Sequence, residues 1–312
     1  MATLKDFYLG ARPKTLSAAL VPVAIGGALA YMAEDARPKY YPAAVGYGPS
    51  ENPELYDRGI TLACLIVAIA LQIGVNYAND YSDGIKGTDD NRAGPMRLVG
   101  SGVANPTSVL KAMIFSFVIA GIAGIYVASQ SSWWLIAVGA VCIALAWFYT
   151  GGKHPYGYYG YGEIVVFICF GLVATVGTYY ANTLEITYEA VVGSFIPGFF
   201  SVAILLANNI RDIPTDKMSH KKTLATRIGR KRAEILFNAC VAMIALSIIA
   251  LGVSIPLVLV GLIPLVIMIP VMRTLRIATR PPEYISVLVR TSKANLLVGM
   301  TVALFIVVSV LR

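Results

Sequence analysis

The stretch ITLACLIVAIALQIGVNYANDYSDG, residues 60–84, changes character partway along. Up to Val75 it is apolar apart from Thr61 and Gln72, and then Asn76, Asn79, Asp80 and Asp83 arrive in quick succession. An apolar run of about 20 residues crosses the hydrocarbon core of a bilayer as a helix. Carboxylates at the mouth of such a helix are expensive to keep there, and they repel one another. They call for a partner of opposite sign.

The rest of the chain supports the membrane assignment. Of its 312 residues, 57% are hydrophobic and only 13% charged, where a soluble domain carries roughly a quarter charged residues. The apolar residues are gathered into long runs, so the short alternating segments of a β-barrel are excluded. The fold class is all-α, a polytopic membrane protein with about nine transmembrane helices, near 15–33, 60–80, 108–128, 132–150, 163–181, 190–210, 233–252, 254–272 and 293–311. Placing the N-terminus in the cytoplasm puts all but Arg37, Lys39, Arg58 and Arg312 of the 25 basic residues on the inner side, as the positive-inside rule requires. The protein is therefore expected in the cell's inner, cytoplasmic membrane as a multi-pass protein.

The formal net charge of +8 belongs mostly to that inner face and suits contact with anionic membrane lipid. Nucleic-acid binding is excluded, because no basic folded domain accompanies the spans. Cys64, Cys142, Cys169 and Cys240 all lie in spans without a CxxC pair, which reads as small core residues. The first span, although it mimics a signal peptide at Ala28-Leu29-Ala30, is too long for one.

Polar residues concentrate in the inner loops 81–107, 151–162 and 211–232, so the chemistry is expected at the cytoplasmic face. The only long outer loop is 34–59. Two of the inner loops share a pattern. Asn76 and Asp80 are followed by Asp83, and Asn208 and Asp212 are followed by Asp216. The chain reads as one transmembrane domain over 1–312, with a pseudo-repeat of Asp-motif units around 60–107 and 190–232.

On a helix, residues three and four apart share a face, so Asn76, Asp80 and Asp83 project together. Asn208, Asp212 and Asp216 do the same if the helix continues past Pro214. Two such clusters facing one cavity suit Mg2+, a hard cation that takes one or two carboxylates together with substrate phosphates and water. With His154 and His220 the only histidines, zinc lacks its ligands. The interleaved Lys86, Arg92, Arg97, Arg211, Lys217, Lys221 and Lys222 suit an anion held partly by metal and partly by side chains, which describes a diphosphate. A lipid diphosphate fits both the charged mouth and the apolar spans.

The motifs NDYSD (79–83) and NNIRDIPTD (208–216) resemble the paired NDxxDxxxD and DxxxD signatures of the UbiA superfamily of intramembrane prenyltransferases. The last Asp of the first signature is replaced by Gly87, with Asp89 two residues further on. The strings ARPKTL (11–16), NYANDYSDGIKGTD (76–89), YTGGKHPYGYYGYGE (149–163) and NNIRDIPTDKMSHKKTLATRIG (208–229) are similar to the branch that prenylates 1,4-dihydroxy-2-naphthoate in menaquinone biosynthesis. The resemblance implies transfer of a polyprenyl group from polyprenyl diphosphate to that acceptor, with loss of diphosphate and CO2, giving demethylmenaquinone. It implies that Asp80, Asp83, Asp212 and Asp216 hold Mg2+ and diphosphate, supported by Asn76, Asn79 and Asn208. Arg211, Lys217 and Lys222 are expected on the diphosphate. Arg12 and Lys153 are expected on the diphosphate or the aromatic carboxylate, and Gln72 on a ring hydroxyl. Tyr149, Tyr156, Tyr158 and Tyr159 line the aromatic site or form an interfacial belt. The rivals are the same chemistry on another aromatic acceptor, an ion-coupled transporter, and a phosphatidyl-alcohol transferase.

Overall fold

Each apolar run becomes helical in a computed structural model of the chain, which describes residues 2–35, 56–87 and 96–311. Asp89, Asp90, Arg92 and most of the 34–59 loop lie outside the described residues. The chain enters through α1 (Leu4–Gly10) and a 3-10 turn at Pro13–Thr15. Next come α2 (Ser17–Asp35), α3 (Arg58–Ile85), α4 (Pro106–Gln130) and α5 (Leu135–Phe148). One further span consists of α6 (Gly162–Phe167), a π-helical turn (Ile168–Val173) and α7 (Ala174–Thr183). It is followed by α8 (Tyr188–Met218), α9 (Leu224–Ile228) and α10 (Arg230–Ser254). A broken span then runs through a 3-10 turn (Pro256–Gly261), α11 (Leu262–Leu265) and α12 (Met268–Ile277), and α13 (Pro281–Val310) closes the fold.

Among the described residues, eight helical segments are long and apolar enough to cross a membrane. The segment expected near 132–150 forms α5, which has 14 residues. That is about 21 Å of helix against about 30 Å of hydrocarbon. Trp133 and Trp134 lie in the turn before it, and Gly152, at φ +75°, turns the chain soon after it. Elsewhere local chemistry sets the ends. Asp57 accepts the Gly59 amide at the start of α3, Asn105 accepts the Thr107 amide ahead of Pro106 in α4, and Thr187 accepts the Ala190 amide in α8. Each is a cap that satisfies an otherwise orphaned amide.

Helix α8 is the axis of the bundle, buried along most of its length and packed on α10, α13, α2 and α6. The main core joins α2, α8, α10, α12 and α13, with Phe200, Phe237, Ile25 and Leu29 fully enclosed. A smaller cluster of Tyr77, Leu98, Val109 and Met113 ties α3 and α4 to the loop between them. Large apolar side chains such as Leu62, Ile122, Val253 and Ile263 stay exposed on the outer surface, where lipid is their solvent.

Several crossings are close because only glycine fits there. A Cβ built on Gly26 would collide with the carbonyl oxygen of Thr175, and one on Gly171 would lie 2.8 Å from the Cα of Gly198. Close backbone approach at small residues is how helices associate without a hydrophobic drive between them. Gly171→Val is therefore expected to destabilise the protein by about 1–3 kcal/mol through overpacking, read as a lower thermal midpoint in detergent. An unchanged midpoint would show that the α8 crossing is looser than described.

Candidate active site

The last two turns of α3 and the last two of α8 bring the polar motifs to one end of the bundle. Helix α8 runs on through Pro214 to Met218, so Asp212 and Asp216 share a face. Proline there removes one backbone donor but leaves the helix intact near its end. Both ends open into a single cavity of about 610 Å3. Its polar end is lined by Asp83, Asp212 and Asp216, by Asn76, Asn79 and Asn208, and by Arg12, Arg97, Arg211 and Lys221.

Every carboxylate at this end is already held. Asp83 accepts the Tyr158 hydroxyl at 2.7 Å and pairs with Lys221 Nζ at 3.0 Å. Asp212 takes Arg211 in a two-pronged contact, Nε to Oδ1 at 2.7 Å and Nη2 to Oδ2 at 2.8 Å. Asp216 accepts the Thr223 hydroxyl at 3.3 Å, while its carbonyl accepts the Lys221 amide at 2.8 Å. Such partners are what a charge in a poorly polar setting requires.

Asp80 has a different setting. Its Oδ2 accepts the Leu98 amide at 2.8 Å and its Oδ1 the Val99 amide at 2.9 Å. It is buried and stands behind the cavity wall rather than in its lining. There it pins the returning loop whose Met96 and Arg97 do reach the cavity.

Three loops meet over the site. Thr150 donates to Asn79 Oδ1 at 2.9 Å, and Lys86 Nζ donates to the Thr150 and Gly152 carbonyls at 2.6 and 3.2 Å. The Tyr158 carbonyl accepts the Lys222 amide at 2.9 Å. Two ammonium groups approach the Tyr158 ring, Lys221 Nζ at 4.6 Å and Lys86 Nζ at 5.1 Å from its centre. Burial holds the Lys86 ammonium below the usual lysine range, against the pull of Asp83, with Lys221 adding to the depression. Burial also pushes the Tyr156 phenol up, with Tyr149 beside it adding to the effect.

The amide side chains are oriented by what they already bond. Asn76 donates to the Ala11 carbonyl at 2.9 Å, so its Oδ1 is the end left to the cavity. Asn208 likewise donates to Ile204. Asn79, whose Oδ1 is engaged by Thr150, presents its NH2. Asn209, beside them on α8, donates to buried Glu163 at 2.9 Å. Arg12 Nη2, Gln72 Oε1 and Ser201 Oγ are buried and have no hydrogen-bond partner among the described residues, and all three side chains line the cavity. Arg12 is moreover held at φ 55°, ψ 63°, a left-handed backbone uncommon outside glycine that clusters at functional sites.

The expected residues thus divide. Asp83, Asp212, Asp216, Arg12, Gln72, Asn76, Asn79, Asn208 and Arg211 line one cavity, while Lys153, Lys217 and Lys222 are exposed and outside its lining. Lys221 and Tyr158, expected among the diphosphate cations and the aromatic candidates, stand at the site, and so does the Glu163–Asn209 pair, which the motif spacing did not single out. Lys221 follows a turn in which His220 has φ 57°, so helical spacing cannot rank it. Glu163 closes the PYGYYGYGE string, and only the fold brings it to α8.

Comparison with known proteins gives the chain's relatives. Residues 39–309 match the model of the UbiA prenyltransferase family. The chain is 42% identical over 304 residues to a 1,4-dihydroxy-2-naphthoate octaprenyltransferase of Mycobacterium tuberculosis (strain ATCC 25618 / H37Rv), covering 97% of each. Its fold is like that of a UbiA homolog from Aeropyrum pernix K1 in its apo form, with a TM-score of 0.66 and 14% identity, over 94% of this chain and 97% of that one. It is also like a UbiA homolog from Archaeoglobus fulgidus bound to DMAPP and Mg2+, with a TM-score of 0.55 and 13% identity, over 93% and 98%.

Removing the Tyr158 hydroxyl tests the loop junction directly. Tyr158→Phe is expected to weaken the fold by about 1–3 kcal/mol, the range for a lost partner of a buried charged acceptor, seen as a lower thermal midpoint in detergent. No change would mean that Asp83 is satisfied without Tyr158.

Proposed function

The chain belongs to the UbiA prenyltransferase family, and on that premise we propose that it transfers a polyprenyl group from polyprenyl diphosphate to 1,4-dihydroxy-2-naphthoate. Diphosphate and CO2 leave, and demethylmenaquinone is the product. The observation that carries this is one cavity that joins carboxylates and cations at its mouth to an apolar interior. A donor with a charged head and a hydrocarbon tail has the same division.

Mg2+ is the metal that suits these residues. The available donors are oxygens, from Asp83, Asp212 and Asp216 and from the Oδ1 atoms that Asn76 and Asn208 turn to the cavity. Among the described residues no three acidic, His or Cys groups are close enough to form a metal cage. That fits a cation that completes its shell with substrate phosphates and water. Asp83, Asp212 and Asp216 are the carboxylates that would hold Mg2+, singly or in pairs completed by phosphate and water, and when bound it supplies positive charge against the leaving diphosphate.

The protein's own groups perform the rest. Arg12, Arg97, Arg211 and Lys221 are donors for the diphosphate oxygens, and the Asn79 NH2 adds another. They act as a fixed electrostatic cradle for charge that grows as the allylic carbon–oxygen bond breaks. Gln72 Oε1, buried and unpartnered, accepts from a ring hydroxyl of the naphthoate. The electron-rich ring then attacks the allylic carbon at the carboxylated position, CO2 leaves, and the ring recovers aromaticity. Helix walls exclude water that would otherwise capture the allylic cation. Asp80 acts in this scheme through the 96–99 turn that carries Arg97. We assign the carboxylate end to the cytoplasmic face and the protein to the inner membrane, because that orientation gathers the basic residues inside.

The test is an assay of purified protein with dihydroxynaphthoate, a polyprenyl diphosphate and Mg2+, with product read by mass. Demethylmenaquinone is expected, and EDTA is expected to abolish it. Asp83→Asn and Asp212→Asn should each lower kcat per folded protein by roughly a hundredfold or more, with a lower thermal midpoint as well, because each leaves buried Lys221 or Arg211 without its carboxylate. Asp80→Asn should lower activity and midpoint together, since an amide offers one acceptor to two backbone donors. Diphosphate release with a different aromatic acceptor only would reassign the acceptor. Metal-independent turnover would overturn the mechanism.

A further inference from the structure

Resting on that reading of the donor, we infer that three glycines on three helices wall the apolar end of the cavity and set the length of prenyl chain the enzyme accepts. The cavity extends along α3 from Asp83 to Cys64, a separation of 19 residues or about 28 Å of helix. Its far part lies between α5, which packs on α3 and α4, and α7. Gly124 of α4, Gly139 of α5 and Gly177 of α7 all line it there.

These glycines differ from those at the helix crossings. A Cβ added at Gly139 or Gly177 meets no atom within 4 Å, and at Gly124 it meets only Val67 at 3.9 Å. Gly26, Gly171 and Gly299, by contrast, are filled against Thr175, Gly198 and Val21. A glycine that permits close packing has a neighbour in the place of its side chain. One that lines the cavity and faces open space leaves room there for a guest, and an apolar cavity that stays dry takes an apolar one. The flanking lining, Val127, Val138 and Val173, is apolar, so the filler is hydrocarbon rather than water. Gly139 stands ten residues before Tyr149, which lines the same cavity, about 15 Å along the helix, a stretch longer than a single isoprene unit.

Added bulk at these positions therefore shortens the accepted chain. Gly139→Leu and Gly177→Leu, in the full chain in detergent, are assayed with dimethylallyl, farnesyl and longer polyprenyl diphosphates. The ratio of kcat/KM for the longest donor to that for dimethylallyl diphosphate is expected to fall by about tenfold or more, the scale at which a pocket reads single methylenes. Gly121→Leu adds the same bulk in open space on α4 outside the cavity lining, and it should leave the ratio at the wild-type value. A ratio unaltered in both cavity variants overturns the inference, as does an equal loss with every donor. Thermal stabilisation by the same diphosphates gives a second readout that does not need the acceptor. Stabilisation of the wild type that grows with chain length and is lost in Gly139→Leu supports the chamber even if dihydroxynaphthoate is not turned over. Stabilisation independent of length sinks it.

Discussion

Carboxylates sunk into the end of an apolar bundle must never be left alone, and the architecture of this site follows from that requirement. Burying an unpaired ion is prohibitive, and a pair is tolerable only when its remaining lone pairs are also satisfied. Asp83 has Tyr158 and Lys221, Asp212 has Arg211, and Asp80 has two backbone amides. Meeting these needs draws in the loop at 149–161 and the turn at 219–223 through Tyr158, Lys221 and Thr223. The loops are thus ordered by the acids, and the acids are kept apart by the loops.

Much of this was legible before any coordinates. The membrane class, the helical segments and the convergence of the two Asp motifs follow from run length and from three-and-four spacing. Pro214 left the second motif conditional, and the helix does continue through it to Met218. What spacing could not rank was direction and depth. Asp80 and Asp83 are one turn apart, yet one faces the cavity and the other the returning loop. Lys217, Lys221 and Lys222 look interchangeable in the sequence, but the turn at His220 sends only Lys221 inward. The segment near 132–150 has the composition of a full span, and only the turn containing Trp133 and Trp134 shortens it to α5.

Glycine serves two opposite ends in the same bundle, and composition cannot separate them. At Gly26, Gly171 and Gly299 it lets helices touch; at Gly139 and Gly177 it keeps them from filling the space between them. Both uses are invisible as periodicity, because each depends on what stands opposite in three dimensions.

The neutral bookkeeping of the site also bears on how a charged donor enters. Asp83 with Lys221 and Asp212 with Arg211 are ion pairs that already cancel. On the proposed function, a diphosphate arriving with its cation would bring both signs, so a lysine or arginine leaving a carboxylate would find a phosphate, and the carboxylate it leaves would find the metal. The exchange conserves the number of close opposite-sign contacts at every stage. It also means that a diphosphate without its cation would have to compete for Lys221 and Arg211 against carboxylates left bare, which a low dielectric penalises heavily. Under the proposed function, dependence on a divalent cation would in this way be built into the resting pairs, before any contribution the metal would make to bond breaking.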